Sequence, residues 1–346
     1  MKRLHFRFIF TWYVATHVLC TLCNFALDRS GASDAYSRSD SILRPHIKTP
    51  CTTLIASCQL TPSRAHIFAD AMRSWIKVKD VGEIIVVDWG SSVPTLDVMK
   101  SIGTPSSARS TSIRVYGPGN LPWRIGAAFN LGLSYALCPR VLKVDCDTYL
   151  HEDFLLHNQI ESVGFRYGDY RNAGADENDK HLNGVFFART SHLRNIHGFD
   201  ERFNLYGWDD SDLYLRLESS LIRRNITRPY ADFKRYASTT RLIRHLAHER
   251  ARNSYEAVGI CFNQVASNMV PSWQDIADES THGFKCKIER QNSGIDVHGC
   301  KIERTPLTMQ ALLGTDACLY LFEVCRRKHD NFTDMDSPCN PKSDDK

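Results

Sequence analysis

Four consecutive aliphatic residues, Ile84-Ile-Val-Val87, limit the fold of this chain more than any other stretch. A strand with one wet face alternates apolar and polar side chains. This unbroken run therefore implies a strand covered on both faces, as in a parallel sheet with helices above and below. It closes on Asp88-Trp-Gly-Ser-Ser92, an acid followed by a turn. Similar units surround it. Thr52–Ser57 is β-rich, and Ile67, Ala71 and Trp75 follow at helical spacing. Ile113–Tyr116 reads as a third strand, with Gly117-Pro-Gly-Asn120 as a loop behind it. Ile125, Phe129, Leu133 and Leu137 then share one helix face, Gly126, Ala127 and Ala128 allow close packing on the other, and Pro139 stops the helix. Strand, helix, strand, helix, strand, each strand ending on polar groups, is the α/β pattern of a nucleotide-binding half-sheet.

The next strand is Arg140-Val-Leu-Lys-Val144, with Val141 and Lys143 on one face and Leu142 and Val144 on the other, and it ends at Asp145-Cys-Asp147. Ligands of open α/β sheets gather at the carboxyl ends of the strands. Acids placed there either cap a turn or hold a cation shared with a phosphate. Cys146 between them reads as a buried spacer. No Gly-rich phosphate loop of the dinucleotide or P-loop type is present, so a bound phosphate needs another counter-charge, such as a metal at this strand end.

Downstream, Gly164–Lys180 is polar and rich in Gly, Asp and Asn and reads as a loop, while Asn183-Gly-Val-Phe-Phe-Ala188 returns to strand character. Leu213, Leu217 and Leu221 mark a helix whose first turn carries Asp209, Asp210 and Asp212 beside Gly207-Trp208. A helix N-terminus favours negative charge, and one acid suffices as a cap. Three acids point to a site. Arg241-Leu-Ile-Arg-His245-Leu-Ala-His248 adds two imidazoles, common ligands of transition-metal cations. Beyond Arg250, Cys286-Lys-Ile-Glu-Arg290 and Cys300-Lys-Ile-Glu-Arg304 form a short duplication, Cys318 and Cys325 sit at helix-compatible positions, and the tail from Asp330 reads as disordered.

The N-terminus is different in kind. Lys2, Arg3 and Arg7 precede an uncharged run from Phe8 to Leu27, about the length of a membrane-spanning helix. The basic flank favours a cytoplasmic N-terminus, with the rest of the chain lumenal or extracellular. We read 1–27 as an uncleaved signal-anchor, with a cleaved signal peptide as the alternative, and 28–50, rich in Ser, Arg and Asp, as a stem. Ten of the 12 cysteines lie from Cys51 to Cys339, and Asn225-Ile-Thr227 and Asn331-Phe-Thr333 are N-glycosylation sequons, both suited to the secretory pathway. With a net charge of only +4 and no nucleic-acid motif, a nucleic-acid partner is not expected.

With these motifs placed, the chain from about Thr52 to His248 resembles glycosyltransferases of the GT-A fold. Gly198-Phe-Asp-Glu201 and Tyr206-Gly-Trp-Asp-Asp-Ser-Asp-Leu-Tyr-Leu-Arg-Leu217 look like the second motif of the β-1,4-galactosyltransferases and the chondroitin-making N-acetylgalactosaminyltransferases. Arg241-Leu-Ile-Arg-His245 looks like their metal-binding segment. The resemblance implies a Rossmann-like mixed sheet flanked by helices, Mn²⁺ held by Asp147 and His245, and a UDP-sugar donor contacted by Asp88, Arg124, Asp145 and Asp147. It further implies Asp210 as general base and Trp208 and Asp209 against the acceptor glycan. Asp209 stands where the family usually has Glu, and Leu242 where some members supply a Met sulfur; His248 has no secure counterpart.

These readings give the following expectation. An α/β GT-A domain spans 51–250, divided into a nucleotide-binding half (51–150) and an acceptor half (151–250), followed by a Cys-containing C-terminal appendage (251–346). The activity expected is an inverting, metal-dependent transfer of galactose or N-acetylgalactosamine from a UDP-sugar to a glycan hydroxyl, in a single-pass type II protein of the Golgi membrane, or a secreted one if the signal is cleaved. A non-catalytic glycan-binding protein on the same fold is the alternative. Nucleotidyl transfer to a sugar phosphate is disfavoured by the secretory signal and the missing Gly-rich loop.

Overall fold

The continuous aliphatic run forms the second, in chain order, of five adjacent parallel strands. The computed structural model describes residues 51–102, 111–119, 124–172, 177–203, 205–234, 241–246, 254–270, 272–273, 283–292, 295–302 and 309–328. They belong to the unit Ile47–Lys346; the stretches read as anchor and stem, His248, the second sequon and the C-terminal tail lie outside the described residues. Among the described residues, no helix is long and apolar enough to cross a membrane.

In chain order the strands are β1 (Thr52–Cys58), β2 (Val81–Asp88), β3 (Ser112–Gly117), β4 (Arg140–Asp145), β5 (Thr148–Leu150), β6 (Phe165–Tyr167), β7 (Phe186–Arg189), β8 (Tyr230–Asp232), β9 (Ile243–His245), β10 (Phe284–Asn292) and β11 (Ile295–Ile302). The described helices of seven residues or more are α1 (Pro62–Trp75), α2 (Thr95–Ser101), α3 (Ile125–Ser134), α4 (Asp209–Arg223), α5 (Ser254–Met269) and α6 (Thr315–Lys328). Nine strands make one sheet in the order β10-β11-β3-β2-β1-β4-β7-β6-β8, and β5 and β9 form a separate pair. β3, β2, β1 and β4 are parallel, whereas β7 turns the sheet antiparallel beside β4. This is the mixed α/β sheet the sequence predicts.

Period-2 alternation sends Leu54, Ala56, Ile84 and Val86 into a core under α1 and α2. Ile55, Ile85, Val87 and Val141 pack on the opposite face under α3 and α4. α3 lies close to the sheet at Gly132, where an added Cβ would stand 2.7 Å from Ile55 Cγ2. Only a residue without a side chain fits there. Pro139 does not set the end of α3, which stops at Ser134, and Leu137 faces solvent at 51% exposure instead of extending the apolar face. The polar stretch 164–180 also contains more order than its composition suggests. Phe165 and Tyr167 are buried and place β6 against β7.

Past residue 250 the chain does two things. α5 and α6 build a small separate core with Phe203, Val258, Phe262 and Phe322, crosslinked by Cys261–Cys325. β10 carries the first Cys-Lys-Ile-Glu-Arg segment and β11 the start of the second, Cys300-Lys-Ile302, and they pair antiparallel so that Cys286 faces Cys300 and bonds to it. β11 then pairs parallel with β3, so part of the stretch read as an appendage extends the main sheet.

Two further disulfides staple one strand pair. Cys51–Cys138 joins the entries of β1 and β4, and Cys58–Cys146 joins their exits. Each closes a long loop, and a crosslink of that kind typically contributes about 2–4 kcal/mol by restricting the unfolded chain. The paired variants Cys51→Ala/Cys138→Ala and Cys58→Ala/Cys146→Ala should each lose stability of that order in urea unfolding. Only the second pair should also weaken a ligand bound at Asp145 and Asp147, measured by calorimetric titration of the folded variants.

Candidate functional site

Both acids of the strand end sit at the carboxyl edge of β4, but they enter different surroundings. After Asp145 the turn Cys146-Asp147 leads into β5, which pairs antiparallel with β9 so that Thr148 stands opposite His245. The Leu246 N–H donates to the Asp147 carbonyl at 2.7 Å, and the Trp75 indole N–H donates to the Thr148 carbonyl at 2.7 Å. This small sheet carries His245 to Asp147, with Nε2 3.3 Å from Oδ1. Asn178 Oδ1 accepts the His245 backbone N–H at 2.6 Å, and the His181 ring stacks on the His245 ring with centroids 5.0 Å apart.

Arg64, in the first turn of α1, donates from Nη2 to Asp147 Oδ2 at 2.6 Å. Burial works against ionisation of Asp147, but His245 and Arg64 outweigh it and hold the carboxyl below its usual range. The other oxygen, Oδ1, is buried and faces only the His245 imidazole. A buried carboxylate oxygen facing an imidazole nitrogen suits a Mn²⁺-type cation. Such a cation would compete with the Arg64 guanidinium for the carboxylate. Among the described residues no group of three or more His, Cys, Asp or Glu is arranged to hold a metal ion; Asp147 and His245 are the pair brought together here.

On the α3/α4 face lies a second cluster. Lys143 is buried in β4, and its ammonium donates to Asp145 Oδ1 at 2.8 Å and stands 4.0 Å from Asp210 Oδ1. Burial disfavours the charged lysine, but Asp145 and Asp210 reverse the balance and its pKa rises. Asp209 and Asp210 open α4 behind Gly207 and Trp208, which hold left-handed φ values of 88° and 70°. Burial raises the Asp210 carboxyl to about 7; Lys143 opposes this, and the neighbouring carboxylates Asp209 and Asp145 add to it. Asp209 is raised as well, chiefly by burial. Gly184, at the entry to β7, completes the cluster. A Cβ there would meet Lys143 Nζ at 2.9 Å, Asp145 Oδ2 at 3.1 Å and Asp210 Oδ2 at 3.4 Å.

The remaining candidates are placed differently. Asp88 leaves the sheet on the α1/α2 face, because it is in register with Cys58, whereas Asp145 is in register with Ser57. Its carboxylate accepts from Ser91 N–H (3.1 Å), Thr95 N–H (3.0 Å) and the Thr95 hydroxyl (2.9 Å), so it braces the turn into α2. Arg124 precedes α3, and among the described residues no hydrogen bond or ion pair joins it to these acids. Trp208 packs against the core of α5 and α6. Asp212 is taken by Arg216, with N–O separations of 2.6 and 2.8 Å, and so does not join the cluster of three acids read from the sequence. Leu242 is buried in the α1/α2-face core. His248 lies outside the described residues. Cys146 is indeed buried, and it is also bonded to Cys58.

Lys143, Gly184 and Arg64 were not among the sequence candidates. Lys143 did carry a signal, since the alternation that buries Val141 also buries Lys143, and a buried lysine requires carboxylates. Arg64 and Gly184 carry none that spacing reveals.

The Gly198-Phe-Asp-Glu201 segment turns out to be structural. The Asn130 side chain bridges the Phe199 N–H and carbonyl and donates to Glu201 at 2.8 Å, while Asp200 forms a fully buried pair with Arg202 at 2.6 Å.

Residues 171–248, which carry Gly184, Asp209, Asp210 and His245, match the family described as N-terminal domain of galactosyltransferase. No curated protein sequence matches the chain. Among solved structures, a Drosophila β-1,4-galactosyltransferase 7 variant in complex with manganese, UDP-Gal and xylobiose is 13% identical, with a TM-score of 0.42 over 74% of this chain and 95% of that one. Glucosyl-3-phosphoglycerate synthase from Mycobacterium tuberculosis with Mg²⁺ and UDP is 15% identical, with a TM-score of 0.42 over 68% of this chain and 83% of that one. A mannosyltransferase from Pyrobaculum calidifontis with GDP-Man and Mn²⁺ is 14% identical, with a TM-score of 0.38 over 48% of this chain and 51% of that one. In its sequence motifs and family match, the chain resembles the galactosyltransferases.

Proposed function

We propose that this chain is an inverting, metal-dependent glycosyltransferase that moves galactose or N-acetylgalactosamine from a UDP-sugar to a glycan hydroxyl. One observation carries the reading: the galactosyltransferase-like segment 171–248 folds so that His245 meets Asp147 and Asp210 meets Lys143 and Asp145, all at the carboxyl edge of β4. A divalent cation held by Asp147 and His245 would supply positive charge to the departing nucleoside diphosphate.

The chain's own groups do the rest. Asp145 faces the donor. Asp210 takes the proton of the attacking hydroxyl, and with acid and leaving group on opposite sides of the sugar the anomeric carbon inverts. A carboxyl near 7 suits that task, because it ionises at neutral pH yet remains a stronger base than an exposed aspartate. Asp209 and Trp208 contact the acceptor, Asp88 and Arg124 the nucleotide. Asp88 can do so while bracing its turn, since Oδ1 accepts only from Ser91 and keeps a second lone pair, whereas both bonds from Thr95 fall on Oδ2.

Four disulfides among the described residues suit an oxidising lumen, which supports placing the domain in the Golgi behind an N-terminal anchor.

Purified protein screened against UDP-sugars with Mn²⁺ and a glycan acceptor should release UDP with UDP-galactose or UDP-N-acetylgalactosamine, and Asp147→Ala should not. Release by no donor above the Asp147→Ala control overturns the catalytic reading. Asp210→Asn should lower kcat by about 10²–10⁴ while donor affinity, measured by calorimetry, persists; undiminished turnover removes Asp210 as base. Because the base works ionised, kcat/KM of the wild type should fall as the pH drops through about 7, and a pH profile flat across that range contradicts the assignment.

A further inference from the structure

We propose that Lys143 is a positioning residue for the transfer reaction: its buried ammonium is the shared counter-charge that holds the donor-side carboxylate of Asp145 and the base carboxylate of Asp210 together. The inference rests on the assignment of Asp210 as base. Its footing is geometric. Lys143 is 2% exposed, donates to Asp145 Oδ1 at 2.8 Å and lies 4.0 Å from Asp210 Oδ1. That Asp210 oxygen is buried and accepts no hydrogen bond, so the nearby ammonium provides its compensation. A lysine serving only Asp145 would not need Asp210 within reach, and a carboxylate left buried without a cation would protonate.

The space around the ammonium fits this role. A Cβ at Gly184 would crowd Lys143, Asp145 and Asp210 at once, so the missing side chain is what lets the three charged ends meet. The charged and titratable groups facing Asp210 are Lys143 and Asp145 from β4, Asp209 on its own helix, and Tyr214 one turn along α4. The Tyr214 hydroxyl donates to the Asn183 carbonyl and so ties α4 to the chain that carries Gly184. Lys143 is the cation facing three carboxylates, and its removal acts on all of them, most directly on the two it touches.

The test pairs a pH profile of kcat/KM with a ¹³C NMR titration of aspartate carboxyls, the Asp210 resonance being assigned by its loss in Asp210→Asn. Lys143→Gln removes the charge but keeps a donor for Asp145. It should move the Asp210 midpoint upward by about one pH unit, a change of about tenfold in ionisation below the midpoint. The loss in kcat/KM should accordingly be greatest at low pH and shrink as pH rises. Lys143→Arg, which keeps the charge, should return the midpoint toward the wild-type value. An Asp210 midpoint unmoved in folded Lys143→Gln overturns the proposal. If that variant does not fold, Gly184→Ala, which pushes the ammonium off its seat, must shift the midpoint in the same direction, and an unmoved midpoint there overturns it equally. If the wild type turns over no sugar nucleotide, the functional reading fails, while the NMR titration still decides the counter-charge.

Discussion

The pairing of β1 with β4 is the constraint on which the rest depends. Cys51–Cys138 and Cys58–Cys146 hold the two strands at both ends. The second disulfide uses the residue between Asp145 and Asp147, so the turn that spreads the two acids onto different faces is anchored covalently to the end of the central strand. With that turn fixed, β5 presents Thr148 to β9 and His245 arrives beside Asp147. On the other face, Lys143 and Asp145 meet the first turn of α4. One anchored turn thus supplies both halves of the site.

The site concentrates charge where the fold would otherwise be apolar, and it balances that charge locally. Asp147 is buried with a guanidinium on one oxygen and an imidazole beside the other. Asp145, Asp209 and Asp210 gather around a single lysine. The two clusters differ in what they lack. The first has a cation already in contact, Arg64, whose long and half-exposed side chain can yield to a better one. The second has fewer cations than carboxylates, so one acid titrates near neutral pH and in its ionised form can take up a proton.

What could be read from residues alone follows the same physics. Four of the five adjacent parallel strands were legible because burial on both faces leaves continuous aliphatic runs, as in Ile84–Val87, and helix faces were legible from their spacing. Asp147, His245 and Asp210 were singled out through motif order. β5, β6, β8 and β9 were not, since three residues are too few to display a period. The disulfide partners were hidden because connectivity depends on which strands become neighbours, and β1 and β4 are far apart in the chain. Arg64 escaped for a similar reason: an arginine in the first turn of a helix looks like any solvated side chain until β4 and β5 bring Asp147 to it. Asp212 misled, because an acid paired with an arginine one turn away is spelled the same as one turned toward a site.

Asp210 illustrates how magnitude settles a conflict between two local rules. Its position in the first turn of α4 favours the ionised form, typically by about 0.3–1 kcal/mol and up to ~2 where partly buried. Burial beside two other carboxylates moves the carboxyl from 3.8 to about 7, which corresponds to roughly 4 kcal/mol in the opposite sense. The helix end is therefore the weaker influence, and Lys143 limits how far the rise goes. A free aspartate at a helix N-terminus would be a poor base, and a buried one with no cation would never ionise near neutrality. The lysine in the strand and the glycine opposite it keep this carboxyl between those limits.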